Sequence, residues 1–219
     1  MYVDSDFDKQ FIDKCLNELA LEYKKFSNKP VKLIIVGGAS VLLNYNFRKS
    51  TGDIDVTAIT SSIIKDAVKN IGKKYGIHHQ WLNDDMKNTA SFSKILDKIS
   101  KPYNIFSGIL EVRNISDEYL VAMKLMAGRI YKYDMSDIIG IISEHKKIGD
   151  EITYQKIDNA ICTLYGSWEN IPENSKIFVD LIYKNNDYDN LYKKIRDEEE
   201  INYFEKEKAE ISLINEGEE

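Results

Sequence analysis

Phe7, Phe11, Ile12, Cys15, Leu19 and Tyr23 recur at three- and four-residue spacing, which predicts a helix over about 6–26, broken by Asn28-Lys29-Pro30. Val31-Lys32-Leu33-Ile34-Ile35-Val36 follows, a short β-branched run suited to a strand covered on both faces. It stops at Gly37-Gly38, and Ala39 to Tyr45 reads as a short helix leaving that turn. The pattern then predicts a strand over 53–59 and an amphipathic helix over 61–75, with Ile63, Ile64, Ala67, Val68 and Ile71 on one face. Residues 76–103 carry no clean period beyond a short helix at 92–99. Strands at 103–106 and 109–115 flank Ser107-Gly108, and helices at 116–131, 135–147, 151–165 and 174–184 fill the rest. The expected fold is α/β: a small mixed sheet flanked by helices, with a helical C-terminal half. It divides into a core at 1–115, a helical part at 116–195 and an acidic tail at 196–219.

Composition narrows the setting. The 219 residues are 43% hydrophobic with only 3 Pro, which excludes a low-complexity or disordered chain. No apolar run approaches the roughly 20 residues of a membrane helix, and the start lacks the basic and apolar stretches of a signal peptide. Two cysteines, Cys15 and Cys162, form neither a disulfide framework nor a metal-ligand spacing, so a cytoplasmic protein without membrane partners is expected. Of the net charge of −6, the segment from Arg196 onward holds 10 acidic residues against 3 basic ones, leaving the body nearly neutral. Such a body offers no footprint for duplex DNA, and such a tail is expected to stay solvated.

The chemistry concentrates in one stretch. Gly37-Gly38 closes a hydrophobic strand and opens a helix, and Asp53-Ile54-Asp55 begins the next strand 15 residues after Gly38. Glycines at a strand-to-helix turn let backbone N–H groups approach a phosphate at a helix N-terminus. Aspartates two apart on a strand share a face and repel unless a cation lies between them, and Mg²⁺ takes a few carboxylates together with substrate phosphate oxygens. A phosphate cradle beside paired carboxylates is the equipment of metal-assisted nucleotidyl transfer. His78-His79 point apart on a strand, and neither cysteine has the basic neighbourhood of a nucleophile.

Val36-Gly37-Gly38-Ala39-Ser40, followed by Arg48-Lys49-Ser50-Thr51-Gly52-Asp53-Ile54-Asp55-Val56, resembles the signature of minimal nucleotidyltransferases of the DNA polymerase β superfamily. Downstream, Leu120 to Arg129 and Tyr133-Asp134-Met135-Ser136-Asp137-Ile138 are similar to the helical motifs of abortive-infection (AbiE-type) nucleotidyltransferase toxins. The resemblance implies that Gly37, Gly38 and Ser40 hold a triphosphate, Asp53 and Asp55 bind Mg²⁺, and Lys124 neutralises phosphate charge. Asp134 and Asp137 would stand near the nucleotide or acceptor, while Arg48 and Thr51 brace the turn before the metal strand. A third carboxylate is expected on a neighbouring strand: Glu111 is the candidate, with Asp84 and Asp85 as rivals. Tyr133 replaces the arginine usual in the second block. The implied activity is Mg²⁺-dependent transfer of a nucleoside monophosphate from an NTP to an RNA end such as tRNA, a protein or a small molecule, with a toxin or antitoxin as partner. Two rivals stand beside it: a catalytically silent nucleotide-binding regulator, and a nucleotide-sugar glycosyltransferase using Asp-x-Asp.

Overall fold

A computed structural model describes residues 7–129 and 132–216, with side chains along the last helix described through 206 and at 208. The start of the first expected helix at Asp6 and the end of the 116–131 helix lie outside those residues. The chain forms two compact units, Met1–Leu120 and Val121–Glu219.

The first unit orders α1 (Lys9–Lys24), β1 (Val31–Ile35), α2 (Gly37–Asn44), β2 (Ile54–Asp55), α3 (Ser62–Tyr75), β3 (Leu82–Asn83), β4 (Ser100–Phe106) and β5 (Leu110–Ile115). α1 begins where the Asp8 carboxylate accepts the Phe11 N–H at 2.7 Å, satisfying one of the donors a helix start leaves unpaired. β5 is central, parallel to β1 and antiparallel to β4, while β2 and β3 pair in parallel. A bridge between Ile35 and Val56 joins the two sheets, through Val36 N–H to Asp55 O (2.9 Å) and Thr57 N–H to Ile34 O (3.0 Å).

Alternation along these strands decides what is buried. Leu33, Ile35, Ile54, Val56, Leu110 and Val112 belong to one core with Leu16 and Leu19 of α1 and Ile64 and Val68 of α3. Each fully buried side chain of this size stabilises by about 1.5–3 kcal/mol, so the strands cannot slip by one residue without reversing that contribution. Trp81 is enclosed, and its Nε1–H donates to Val68 O at 2.9 Å, fixing the chain between α3 and β3.

α4 (Asp117–Ala127) begins in the first unit and ends in the second, which adds α5 (Asp134–Lys147), α6 (Tyr154–Tyr165), α7 (Glu173–Lys184) and α8 (Tyr188–Glu216). Every residue of α5 from Asp134 to Ser143 is buried, so it is the central helix of its unit, and α8 packs along it. The α/β class, the small mixed sheet and the helical C-terminal half are as the sequence implies. Four details differ. Residues 92–99 form successive turns instead of a helix, β2 has two residues instead of seven, and β3 was not anticipated. The expected solvated tail is, at least from Arg196 to Tyr203, part of a packed helix: Glu199 is only 3% exposed. No described helix is long and apolar enough to cross a membrane.

Candidate active site

The strand β1 delivers the chain to α2 at Gly37, whose φ of +63° is a left-handed conformation that glycine adopts without strain. Space makes the same demand. A β-carbon at Gly37 would stand 3.1 Å from Asp55 Oδ2, and one at Gly38 would lie 2.7 Å from Arg48 Nη2 and 2.9 Å from Thr51 Oγ1. The two glycines therefore let a carboxylate and a guanidinium close directly on the first turn of α2. The Asp55 carbonyl accepts Val36 N–H, so Asp55 is registered on the residue that precedes the turn. Ile54 and Val56 are completely buried, and the intervening alternation turns Asp53 and Asp55 the other way, Asp53 exposed and Asp55 half-buried.

The approach to the aspartates is braced on both sides. Arg48 Nε–H donates to Ser50 O at 3.0 Å, and Thr51, 6% exposed, exchanges backbone hydrogen bonds with Phe7 (2.8 and 3.0 Å). At the start of α2 the helix dipole and backbone N–H groups favour an anion, with the Arg48 guanidinium over Gly38 adding positive charge. The Asp55 carboxylate beside that anion-favouring turn, with Asp53 two residues before it, offers oxygen donors of the kind a hard divalent cation takes together with water and phosphate oxygens.

The next candidates lie on β5, on the segment that follows β3 and on α2 itself. Glu111 lies opposite Lys32 in the β1–β5 register, three residues before the Asn114–Ile35 pair, or about 10 Å along the strand. Its carboxylate is held by Arg113 Nη1 at 2.8 Å. Asp84 accepts Ile59 N–H at 3.1 Å and pairs with Lys87 at 2.8 Å; burial raises its pKa, but these bonds outweigh it and leave the carboxyl below its ordinary value. Asp85 opens a short helical turn. Among the described residues no three His, Cys, Asp or Glu side chains are placed to hold a metal ion, so no third carboxylate joins Asp53 and Asp55 in such a group. Ser40, on the first turn of α2, is wholly buried, with its Oγ unbonded among the described residues.

Within the second unit, Lys124, Asp134 and Asp137 do come together. Lys124 Nζ lies 2.9 Å from Asp134 Oδ1 and 2.8 Å from Asp137 Oδ2, with all three residues buried. Arg129 Nε adds a bond to Asp134 at 2.8 Å, and Arg196 Nη2 reaches Asp137 at 3.2 Å. Burial pushes the Asp134 carboxyl up, yet Lys124 and Arg129 overcome it and hold the pKa at about 2. The expectation of a lysine presenting its charge to phosphate therefore meets a lysine already matched by two aspartates. Arg196 also stacks on Tyr133 at 4.2 Å, so the tyrosine in the arginine position of the motif receives its cation from α8.

A family model described as a nucleotidyltransferase of unknown function (DUF6036) matches residues 14–193. The chain belongs to that family. No curated protein and no solved structure matches it. The nucleotidyltransferase match takes in the glycine turn, both aspartates and the Lys124 cluster, and it ends before Arg196 and Glu199. Those two residues carried no sequence signal beyond their place in an acidic run. Arg48, by contrast, was visible as the start of the Arg-Lys-Ser-Thr-Gly-Asp block, although its approach to Gly38 was not.

Proposed function

We propose that the protein is a Mg²⁺-dependent nucleotidyltransferase that moves a nucleoside monophosphate from an NTP to a hydroxyl acceptor on RNA or protein. The observation that carries this reading is the approach of Asp55 Oδ2 to Gly37 at the first turn of α2, which brings a metal-type carboxylate to a phosphate-type cradle. In the reaction the acceptor oxygen forms a bond to the α-phosphorus, the bond to the bridging oxygen of the β-phosphate breaks, and pyrophosphate leaves. The acceptor proton passes to solvent or a carboxylate. Mg²⁺ bound by Asp53 and Asp55 would supply charge neutralisation on the phosphates and lower the pKa of the attacking hydroxyl. The chain's own part is positional. The N–H groups of Gly37 and Gly38 orient the triphosphate, Arg48 adds positive charge over that turn, and the Phe7–Thr51 bridge fixes the strand that carries the aspartates.

Membership of the polymerase β superfamily and kinship with AbiE-type toxins belong to this reading, supported by the order of the two sequence blocks. An antitoxin partner would follow from it. A second reading, a nucleotide-binding protein without turnover, is favoured by the absence of a third converging carboxylate among the described residues. Incubating the protein with each α-labelled NTP, Mg²⁺ and cell extract separates the two. Label on an RNA or protein acceptor supports transfer, and tight NTP binding with no labelled acceptor supports the silent reading.

A further inference from the structure

α5 starts without a cap of its own. Its N-cap residue, Tyr133, makes no side-chain bond to the helix, yet the turn is buried, where unpaired N–H groups are costly. The missing acceptor comes from α8, more than sixty residues away in sequence. Glu199 Oε1 accepts Met135 N–H at 2.8 Å, Oε2 accepts Ser136 N–H at 3.3 Å, and Oε2 also accepts a hydrogen bond from the Ser136 hydroxyl. One turn before Glu199, Arg196 bonds Asp137 and lies over the Tyr133 ring. The same first turn of α5 carries Asp134 and Asp137, the two carboxylates that enclose Lys124. Capping that turn and bracing Asp137 from α8 thus fixes where the motif lysine and its aspartates stand. Both bracing residues lie beyond the residues the family model matches.

We propose that Arg196 and Glu199 are positioning residues for the Lys124–Asp134–Asp137 cluster, so that α8 is a working part of the nucleotidyltransferase and not an appended tail. The positioning role rests on the function proposed above. The clamp itself does not.

Amide hydrogen exchange on the full-length protein reads the clamp without substrate. Glu199→Ala should speed exchange at Met135 and Ser136 by about tenfold or more, and Glu199→Gln, which keeps the acceptor oxygen, by less than about threefold. In the transfer assay, Glu199→Ala and Arg196→Ala should lower kcat about tenfold or more while KM for NTP moves less than about twofold, with Glu199→Gln restoring kcat. Should Glu199→Ala not fold, Glu199→Asp, which withdraws the carboxylate by one methylene, carries the same comparison. Unchanged exchange at both amides overturns the clamp. Faster exchange with unchanged kcat overturns the positioning role and leaves a structural cap. A wild-type protein that transfers nothing overturns the proposed function and the positioning role together, and the exchange result still decides the clamp.

Discussion

Asp55 Oδ2 lies 3.1 Å from the point that a β-carbon on Gly37 would occupy, so the carboxylate and the helix start share one small space that only a glycine leaves open. Gly37→Ala would meet the carboxylate and also force a left-handed φ on a residue with a side chain, at a cost of roughly 1–2 kcal/mol. The expected result is a fall in melting temperature of several degrees and a loss of NTP affinity of about tenfold or more, read by thermal unfolding and titration. Unchanged affinity would separate the turn from the nucleotide.

Lys124→Met should be among the most damaging single changes. It leaves Asp134 and Asp137 buried without their shared cation, and removing one partner of a buried ion pair typically costs about 3–5 kcal/mol. Urea unfolding measures it; a loss under about 1 kcal/mol would show that the lysine is not the centre of the cluster.

The helices and the glycine–aspartate constellation were legible in the sequence because they depend on neighbours. Ile64, Val68 and Ile71 repeat at helical spacing, and Gly37-Gly38 and Asp53-Ile54-Asp55 each act within one turn or strand. β3 was not legible, since Leu82-Asn83 has two residues in a polar stretch and is a strand only because Asn83 pairs with Asp55. The role of α8 was hidden for a related reason. An acidic run reads as solvated, and nothing local to Glu199 reveals that α5 lacks a cap. Glu111 shows the converse limit: alternation gives its face, while its place opposite Lys32 and its bond to Arg113 emerge only from the register and the packing.

Burial raises the Glu199 pKa from 4.5 to about 7, against the opposing pull of the bonds from Ser136 and Met135 and the charge of Arg196, with Asp137 adding to the rise. The neighbouring Asp134 carboxylate on the same turn of α5 is itself paired with Lys124 and Arg129. A carboxyl whose folded pKa is raised contributes stability that is complete below the unfolded pKa and is lost as pH rises through the folded one. Stability should therefore decline between about pH 4.5 and 7 in the wild type, and Glu199→Gln should flatten that decline and melt several degrees higher at pH 8. Parallel melting curves for the two proteins across this range would contradict a carboxyl titrating at the start of α5.

Glu111→Gln should leave transfer within about threefold of wild type and stability within about 1 kcal/mol, because its partner is the part-exposed Arg113. A drop of orders of magnitude in kcat would instead make Glu111 the third carboxylate.

The proposed function assigns Mg²⁺-dependent nucleotidyl transfer to Asp53 and Asp55, with Asp55 set against the Gly37-Gly38 turn. The most direct measurement is the transfer of α-labelled nucleotide to an acceptor by wild type and by the Asp53→Asn, Asp55→Asn double variant, both checked for folding by circular dichroism. The expected result is Mg²⁺-dependent label transfer by the wild type and none above background by a fully folded double variant. Equal transfer by the two proteins would contradict the account.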